Sequence, residues 1–279
     1  MSDLLVRRLL IDLETPPARH WAAGDAFLTA YFNALSMSFP VGEQFFIDSV
    51  RKGLAALPEA ERARFEPEVR GFIGQEATHR RVHQLFNAHL DRRGLVNGWQ
   101  RRVTRRLRRL EGVDPRAWVG LTAATEHFTA IMAEHLLAHR EQLAGTEARL
   151  QTLWLWHASE ETEHRSVAFD LYRALGGNER WRLRLFYIVS FRFLTDLMLQ
   201  TLGNLRRDGT LWRPSTWASG WRHLFGPAGV VRELRRPWAR YGHADFHPGQ
   251  QDAEPALRWL RANADVAVPL AAAASSPPS

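Results

Sequence analysis

The segment WHASEETEHRSVAFD, residues 156–170, concentrates charged side chains in a stretch that otherwise has the composition of a buried helix. Two histidines and three glutamates occupy the eight positions from His157 to His164, and apolar residues follow. A helix face turned toward water would explain these charges, and so would a metal site inside a helical core. The rest of the sequence distinguishes the two explanations.

Composition restricts the kind of metal site that the chain can build. The chain has 279 residues, of which 45% are hydrophobic, which is enough for the core of one large domain. The absence of cysteine excludes disulfides, thiolate metal sites and a cysteine nucleophile, and it fits a reducing cytoplasm. Any metal ion must therefore be bound by nitrogen and oxygen atoms.

The net charge of +7 comes almost entirely from arginine. Such a charge fits nucleic acid, an anionic membrane surface or simply an arginine-rich proteome as its context. No recognised nucleic-acid-binding module accompanies the arginines, so we expect no nucleic-acid partner. The N-terminal residues do not resemble a signal peptide, and we expect a cytoplasmic protein, with peripheral membrane association as an alternative.

One apolar segment is long enough to be considered as a membrane span. Residues 183–203, LRLFYIVSFRFLTDLMLQTLG, are interrupted by Arg184, Arg192 and Asp196. These charges make an uninterrupted span unfavourable. We therefore expect an amphipathic helix that docks on the protein core or lies against a lipid surface.

Apolar residues recur at every third or fourth position, which predicts an all-α fold. We expect a ferritin-like four-helix bundle built from two helical hairpins, 21–55 with 67–93 and 115–144 with 146–175. Pro40 should kink or break the first helix, and Pro67 should begin the second. A short basic helix over 99–110 belongs to the connection between the hairpins.

This pattern predicts four segments in the chain. An N-terminal arm covers 1–20, and the bundle covers 21–177. Additional C-terminal helices over 178–263 pack on the bundle. Residues 264–279, rich in alanine, serine and proline, are expected to be disordered.

Candidate metal ligands recur in the same order in both predicted hairpins. Each half has one isolated glutamate followed by Glu-x-x-His on the next helix, which gives Glu43, Glu76 and His79, then Glu126, Glu161 and His164. Residues three apart project from the same helix face, so each Glu-x-x-His pair can converge on one ion. A single such pair is weak evidence, but the repeated order matches di-iron and di-manganese carboxylate proteins.

His157 offers a nitrogen that the first half lacks, because Phe72 occupies the corresponding position there. It lies four residues before Glu161 and therefore on the same helix face. We predict that His157 is a third histidine ligand. The alternative is that it orients a ligating carboxylate.

Nearby polar residues are expected to have lesser roles. Glu160 is interpreted as an outer or entrance group and Glu163 as a surface charge. His83 fits either an outer group or an ordinary core histidine. Glu134, two turns beyond Glu126, is a weaker candidate ligand, and we do not expect His247 to reach the site.

Four stretches resemble the bacterial family labelled "predicted metal-dependent hydrolase", namely FPVGEQFFIDSVR, EATHRRVHQLFN, WHASEETEHRSVAFDLY and ARYGHADFHPG. The resemblance covers roughly residues 5–250 and implies a ferritin-like core. The ligand order also resembles that of the di-iron arylamine N-oxygenases, in which the added histidine is an iron ligand. That resemblance implies the ligand set Glu43, Glu76, His79, Glu126, His157, Glu161 and His164.

Oxygen and imidazole donors with open positions suit two iron ions, or manganese or a mixed pair. The main functional hypothesis is an O2-activating oxidase or oxygenase that acts on an apolar or amphipathic small molecule, with an electron-donor protein as partner. The alternative is hydrolysis by water that two metal ions activate. A second alternative is a non-enzymatic protein that handles iron or binds a membrane surface. The sequence also leaves a homodimer open.

Overall fold

A computed structural model describes residues 4–270 of the chain. The fold is all-α apart from two three-residue strands, β1 (Arg7–Leu9) and β2 (Ala267–Pro269). The α-helices of this part of the chain are α1 (Ala26–Ala56), α2 (Glu59–Arg92), α3 (Gly98–Leu107), α4 (Pro115–Ala138), α5 (Ala148–His164), α6 (Val167–Ala174), α7 (Glu179–Asp208), α8 (Pro214–Phe225), α9 (Val230–Arg240) and α10 (Glu254–Ala262). Short 3-10 turns lie at Arg108–Leu110, Arg140–Leu143 and Pro248–Gln250. The predicted fold class is confirmed.

Helix α1 begins where the carboxylate of Asp25 accepts a hydrogen bond of 2.9 Å from the backbone amide of Leu28. This contact satisfies one of the free amides of the first turn. The helix continues through Pro40, so a break at that residue is a wrong prediction. Burial of α1 against α2, α4 and α7 compensates for the hydrogen bond that proline cannot make.

Helix α2 begins eight residues earlier than predicted, at Glu59 instead of Pro67. Pro58 precedes the first turn, and Glu59 and Glu61 lie within it. Acidic side chains stabilise the positive end of the helix dipole, which favours a start at this point. Pro67 is therefore an internal residue of α2.

The last predicted bundle helix, 146–175, is divided into α5 and α6. The division falls at Arg165, whose buried guanidinium donates to the backbone oxygens of Pro248, at 3.0 Å, and Gln251. Similarly, α4 ends at Ala138 and does not continue to residue 144.

Four helices surround the centre of the protein. Helix α1 packs mainly on α2, α4 packs mainly on α5, and α1 also contacts α4. Helix α7 lies against α1 and α4, α3 against α1 and α7, α9 against α4, and α10 against α5. The ferritin-like relationship of the four central helices, and the division of the chain at residues 20, 177 and 263, stay predictions.

The two strands join segments that are far apart in sequence. They pair antiparallel, with Arg7 opposite Pro269 and Leu9 opposite Ala267. The disorder predicted from residue 264 onward is therefore wrong for β2, because a partner strand near the other end of the chain satisfies its backbone. Residues 271–279 of the predicted tail lie outside the described residues.

Gly53 of α1 marks a close approach of helices and provides a test of the packing. A Cβ atom at this position would lie 2.5 Å from Cγ2 of Val119 on α4 and 3.0 Å from Cδ2 of Leu171 on α6. We expect Gly53→Ala to lower the free energy of unfolding by about 1–3 kcal/mol, because the neighbours must shift. Urea unfolding measures this change.

The matched control is Gly203→Ala on α7, where an added Cβ has no other atom within 4 Å. This variant should raise the free energy of unfolding by up to about 1 kcal/mol, since alanine favours helix more than glycine does. Equal effects at the two positions would contradict the close approach at Gly53.

Candidate metal centre

The seven predicted ligands lie together in the core, between four helices. They are Glu43 on α1, Glu76 and His79 on α2, Glu126 on α4, and His157, Glu161 and His164 on α5. None is more than 4% exposed. The helices therefore bring the whole set into one buried cluster, although binding of metal by these residues stays a prediction.

Glu161 occupies the middle of this cluster. Its Oε1 atom lies 3.2 Å from Nε2 of His157, 3.6 Å from Nδ1 of His79 and 3.6 Å from Nε2 of His164. The same nitrogen of His164 lies 3.2 Å from Oε1 of Glu76 and 3.3 Å from Oε2 of Glu126. One carboxylate thus contacts the ring nitrogens of all three histidines.

The donor atoms fall into overlapping groups that are each compact enough for one ion. Within each group, one donor atom per residue lies within 4.8 Å of the others, and the groups are Glu43, His79 and His157; Glu76, Glu126 and His164; and Glu76, His79 and Glu161. The first two groups share no residue, and the third links them. The cluster therefore has room for two ions with carboxylates between them.

The donor atoms of the cluster have no hydrogen-bond partners among the described residues. They are both carboxylate oxygens of Glu43, Glu76 and Glu126, Oε2 of Glu161, Nδ1 of His79, and Nε2 of His157 and of His164. Buried polar atoms are almost always paired, because burying them unpaired costs free energy. A concentration of unpaired oxygen and imidazole donors in one place fits bound metal ions.

His79 and His164 are each oriented by a group outside the cluster. Nε2 of His79 donates to Oε2 of Glu160 at 2.9 Å, which leaves the lone pair of Nδ1 directed inward. Nδ1 of His164 donates to Oε1 of Gln75 at 2.9 Å, which leaves Nε2 directed inward. Such outer hydrogen bonds are typical of metal-binding histidines.

A chain of four buried side chains determines the tautomer of His157. Nδ2 of Asn87 donates to the backbone oxygen of Ser36 at 2.8 Å, so that Oδ1 of Asn87 accepts from the Ser36 hydroxyl. The hydroxyl oxygen then accepts from Nδ1 of His83 at 2.8 Å, and Nε2 of His83 accepts from Nδ1 of His157 at 3.1 Å. His157 therefore keeps a free lone pair on Nε2, as a ligand must.

Arg7 of β1 connects the N-terminal segment to the cluster. Its guanidinium donates to Oε1 of Glu160 at 3.0 Å and to the two oxygens of Glu163 at 2.6 and 3.0 Å. Gln75 donates to Glu163 at 3.0 Å and to the backbone oxygen of Leu5 at 2.9 Å. Glu160 is thus an outer group and no entrance, and the prediction that Glu163 is a surface charge is wrong.

The remaining candidates do not join the cluster. Glu134 forms an ion pair of 3.2 Å with Arg165, so it is not a ligand of this site. His247 contacts Asp170 at 2.7 Å through Nε2. Sequence reasoning missed Arg7, Ser36 and Asn87, and it missed Gln75 although that residue directly precedes Glu76.

Burial and mutual repulsion perturb the acids of the metal-free cluster. Burial raises the pKa of Glu126 to about 8 although His164 opposes the shift, and burial also raises the pKa values of Glu43 and Glu76. Burial would lower the pKa of His79, but hydrogen bonds with Glu160 and Glu161 outweigh it and raise that pKa to about 10. Burial opposes ionisation of Glu161 too, yet its three histidine neighbours hold its pKa well below the usual value.

Two cavities reach the cluster from the side of Glu161. One has a volume of about 60 Å³ and the other about 340 Å³, and Phe39, Thr129, Glu161 and Phe193 line both. The larger cavity also touches Glu43 and extends between α3 and α7. A small molecule in this cavity would therefore meet mostly apolar walls and the carboxylates of Glu43 and Glu161.

The fold and the site define an all-α protein with a buried cluster of metal-binding side chains. The model of a family described as "Predicted metal-dependent hydrolase" matches residues 5–252, so the chain belongs to that family. No curated protein and no solved structure matches the chain. The family description supports hydrolysis, the alternative hypothesis, better than oxygen activation, and the resemblance to the arylamine N-oxygenases is unconfirmed.

Metal binding should depend on pH because the metal-free cluster holds protons. At neutral pH, Glu126 with a pKa of about 8 and His79 with a pKa of about 10 are largely protonated, and each must lose its proton to bind a cation. We expect binding to release protons and the affinity to rise from pH 6 to pH 9. Calorimetry in buffers of different ionisation enthalpy measures the release, and an affinity independent of pH would contradict it.

The hydrogen-bond chain behind His157 should matter to metal affinity. His83→Phe keeps an aromatic ring but removes the acceptor for Nδ1 of His157. We expect the affinity for the first metal ion to fall about 10- to 100-fold, as is usual when such an outer group is lost. Competition with a chromophoric chelator measures this change.

His127→Phe is the control for this variant. His127 is 1% exposed, lies on α4 and contacts the backbone oxygen of Pro237, outside the cluster. Its replacement should leave metal affinity unchanged. If both variants bind metal like the parent, the ring orientation of His157 does not depend on His83.

Proposed function

We propose that the protein is a metal-dependent hydrolase with a two-metal centre, which acts on an apolar or amphipathic small molecule. The observation that carries this proposal is the set of buried donor atoms without hydrogen-bond partners, to which all seven predicted ligands contribute. The family description supports the reaction class. The cavity of about 340 Å³ with mostly apolar walls supports the substrate class.

The grouping of donor atoms suggests which residues hold each ion. Glu43, Nδ1 of His79 and Nε2 of His157 would bind one ion. Glu76, Glu126 and Nε2 of His164 would bind the other. Glu161, whose Oε1 contacts all three histidines, would bridge the two ions.

The charges of this arrangement balance. Four carboxylates carry four negative charges, which equals the positive charge of two divalent cations when the three histidines are neutral. Burying four carboxylates without cations would be costly, which is why the pKa values of three of them are raised in the metal-free protein.

Two bound divalent ions would supply an activated water and polarise the bond to be cleaved. The protein would supply the pocket and a place for the proton. Oε2 of Glu161 is buried, lacks a hydrogen-bond partner among the described residues and belongs to a side chain that lines both cavities. It is therefore placed to accept a proton from water, while Phe39 and Phe193 hold the apolar part of the substrate.

The second candidate is an O2-activating oxidase or oxygenase with iron or manganese. The observation that favours it is the order of the ligands, in which an isolated glutamate and Glu-x-x-His occur twice on paired helices. The cavity walls would keep water from a reactive site, and an electron-donor protein would be needed as partner. This candidate uses the same seven residues, so the reaction must be decided by experiment.

Two glutamates of α4 test the ligand assignment directly. Glu126→Gln keeps the size of the side chain but weakens a proposed ligand, and Glu134→Gln changes an equally acidic side chain that pairs with Arg165. We expect Glu126→Gln to lose at least one of two bound ions and Glu134→Gln to keep both, measured by mass spectrometry of the purified proteins.

Thermal unfolding provides a second reading of the same pair. Metal at about 100 times its dissociation constant should stabilise the parent and Glu134→Gln by about 2.7 kcal/mol. Glu126→Gln should gain less. Full metal content in Glu126→Gln would place the metal elsewhere.

Assays on the loaded protein then separate the two reactions. The parent is loaded anaerobically with Fe2+, Mn2+ or Zn2+ and tested against esters, amides and phosphate esters with apolar chains. Hydrolysis that requires metal and is lost in Glu126→Gln supports the proposal. Consumption of O2 by the ferrous protein, with no hydrolysis, replaces it with the second candidate.

A further inference from the structure

Helix α7 presents an apolar face to solvent. Five large side chains on it are at least half exposed, namely Trp181, Tyr187, Phe191, Leu194 and Met198, at 50%, 54%, 64%, 53% and 55%. Their spacing of three to six residues places them along one side of the helix, over a length of about 25 Å. Large exposed apolar surfaces of this kind mark interaction sites.

Positive charge accompanies this face. The guanidinium of Arg184 lies 4.9 Å from the ring centroid of Trp181, and that of Arg192 lies 5.7 Å from the ring centroid of Phe191. Neither arginine forms an ion pair with any residue between 4 and 270. The arginines therefore lie on the same side of the helix as the exposed aromatic rings and keep their charge available.

Helix α3, which packs against α7, extends the positive surface. Its exposed arginines and those of the following turn are Arg101, Arg105, Arg108 and Arg109. Residues 98–110 contain no acidic side chain. On α7, the acid nearest to α3 is Asp196, which is buried and bound by Arg102 and Arg106.

The larger cavity of the metal centre borders the same surface. Ile188 is 45% exposed, and it and the exposed Arg192 also line the cavity that reaches Glu43 and Glu161. Trp99 and Val103 of α3 form the adjacent wall. A molecule leaving this surface would therefore enter the cavity between α3 and α7.

Two other occupants fit these observations less well. Helix α7 is apolar and long enough to cross a membrane, but 44% of its most apolar stretch is buried against the protein, including Asp196. A second copy of the chain would bring Arg184 and Arg192 of both copies toward each other, which costs free energy. An anionic lipid surface matches both the apolar side chains and the arginines.

We propose that the exposed face of α7, together with the arginines of α3, docks on an anionic lipid bilayer, and that the cavity between α3 and α7 receives an amphipathic substrate from it. The docking does not depend on the metal centre. The delivery of substrate rests on the proposed function.

Vesicle binding by the full chain tests the docking. The probes are vesicles of phosphatidylcholine alone and vesicles that also contain phosphatidylglycerol, with cosedimentation as the measurement. We expect binding to the anionic vesicles, weakening at high salt because the arginines are then screened. Equal binding to both kinds of vesicle, or none to either, would overturn the proposal.

Two pairs of variants locate the surface. Phe191→Ser should lower the partition coefficient about tenfold through lost apolar burial, whereas Leu85→Ser, at a 45% exposed position of α2, should not. Arg184→Gln with Arg192→Gln should lower it about fivefold per arginine, whereas Arg64→Gln with Arg81→Gln, also exposed but on α2, should change it little. Parallel losses in the controls would mean unspecific binding and would overturn the proposed face.

Light scattering addresses the remaining occupant. A dimer in the absence of lipid that Phe191→Ser dissociates would assign the face to a second copy of the chain and overturn the proposal. Glu126→Gln separates docking from the proposed function. This variant should bind vesicles like the parent even where it has lost metal, and a failure of the metal reaction would leave vesicle binding unaffected.

Discussion

The structure depends on the burial of four carboxylates and three histidines at the contact of four helices. Such groups are stable in a core only when each donor atom is matched, either by a hydrogen bond or by a cation. The chain satisfies the outer atoms itself and leaves the inner atoms unmatched. This asymmetry distinguishes a site prepared for metal from an ordinary buried polar network, in which every member is satisfied.

Each histidine is held by a different kind of partner, which makes the three nitrogens chemically unequal. His79 donates to a carboxylate, His164 to an amide and His157 to another imidazole. A carboxylate partner makes an imidazole a stronger electron donor than an amide does. The two proposed ions would therefore experience different surroundings, as the presence of Phe72 opposite His157 already indicates in the sequence.

The sequence was sufficient for the helical class and for the set of residues that meet in the core, because Glu-x-x-His at helical spacing reports one face of a helix. It was insufficient for Arg7, which lies 153 residues from its partner Glu160, since no local pattern records such a distant contact. The start of α2 was misplaced because Pro58 and Pro67 are both acceptable near a helix start, and the acidic first turn decides between them. Three-residue strands have too little periodicity to be recognised.

The pairing of β1 with β2 determines when the centre can be finished. Arg7, opposite Pro269 in the ladder, binds Glu160 and Glu163, and the backbone oxygen of Leu5 binds Gln75, which orients His164. During synthesis, the helices of the cluster leave the ribosome long before residues 267–269 do. The outer hydrogen bonds are then complete only after translation of β2, so high-affinity metal uptake belongs to the released chain, and a ribosome-bound intermediate would hold an immature centre.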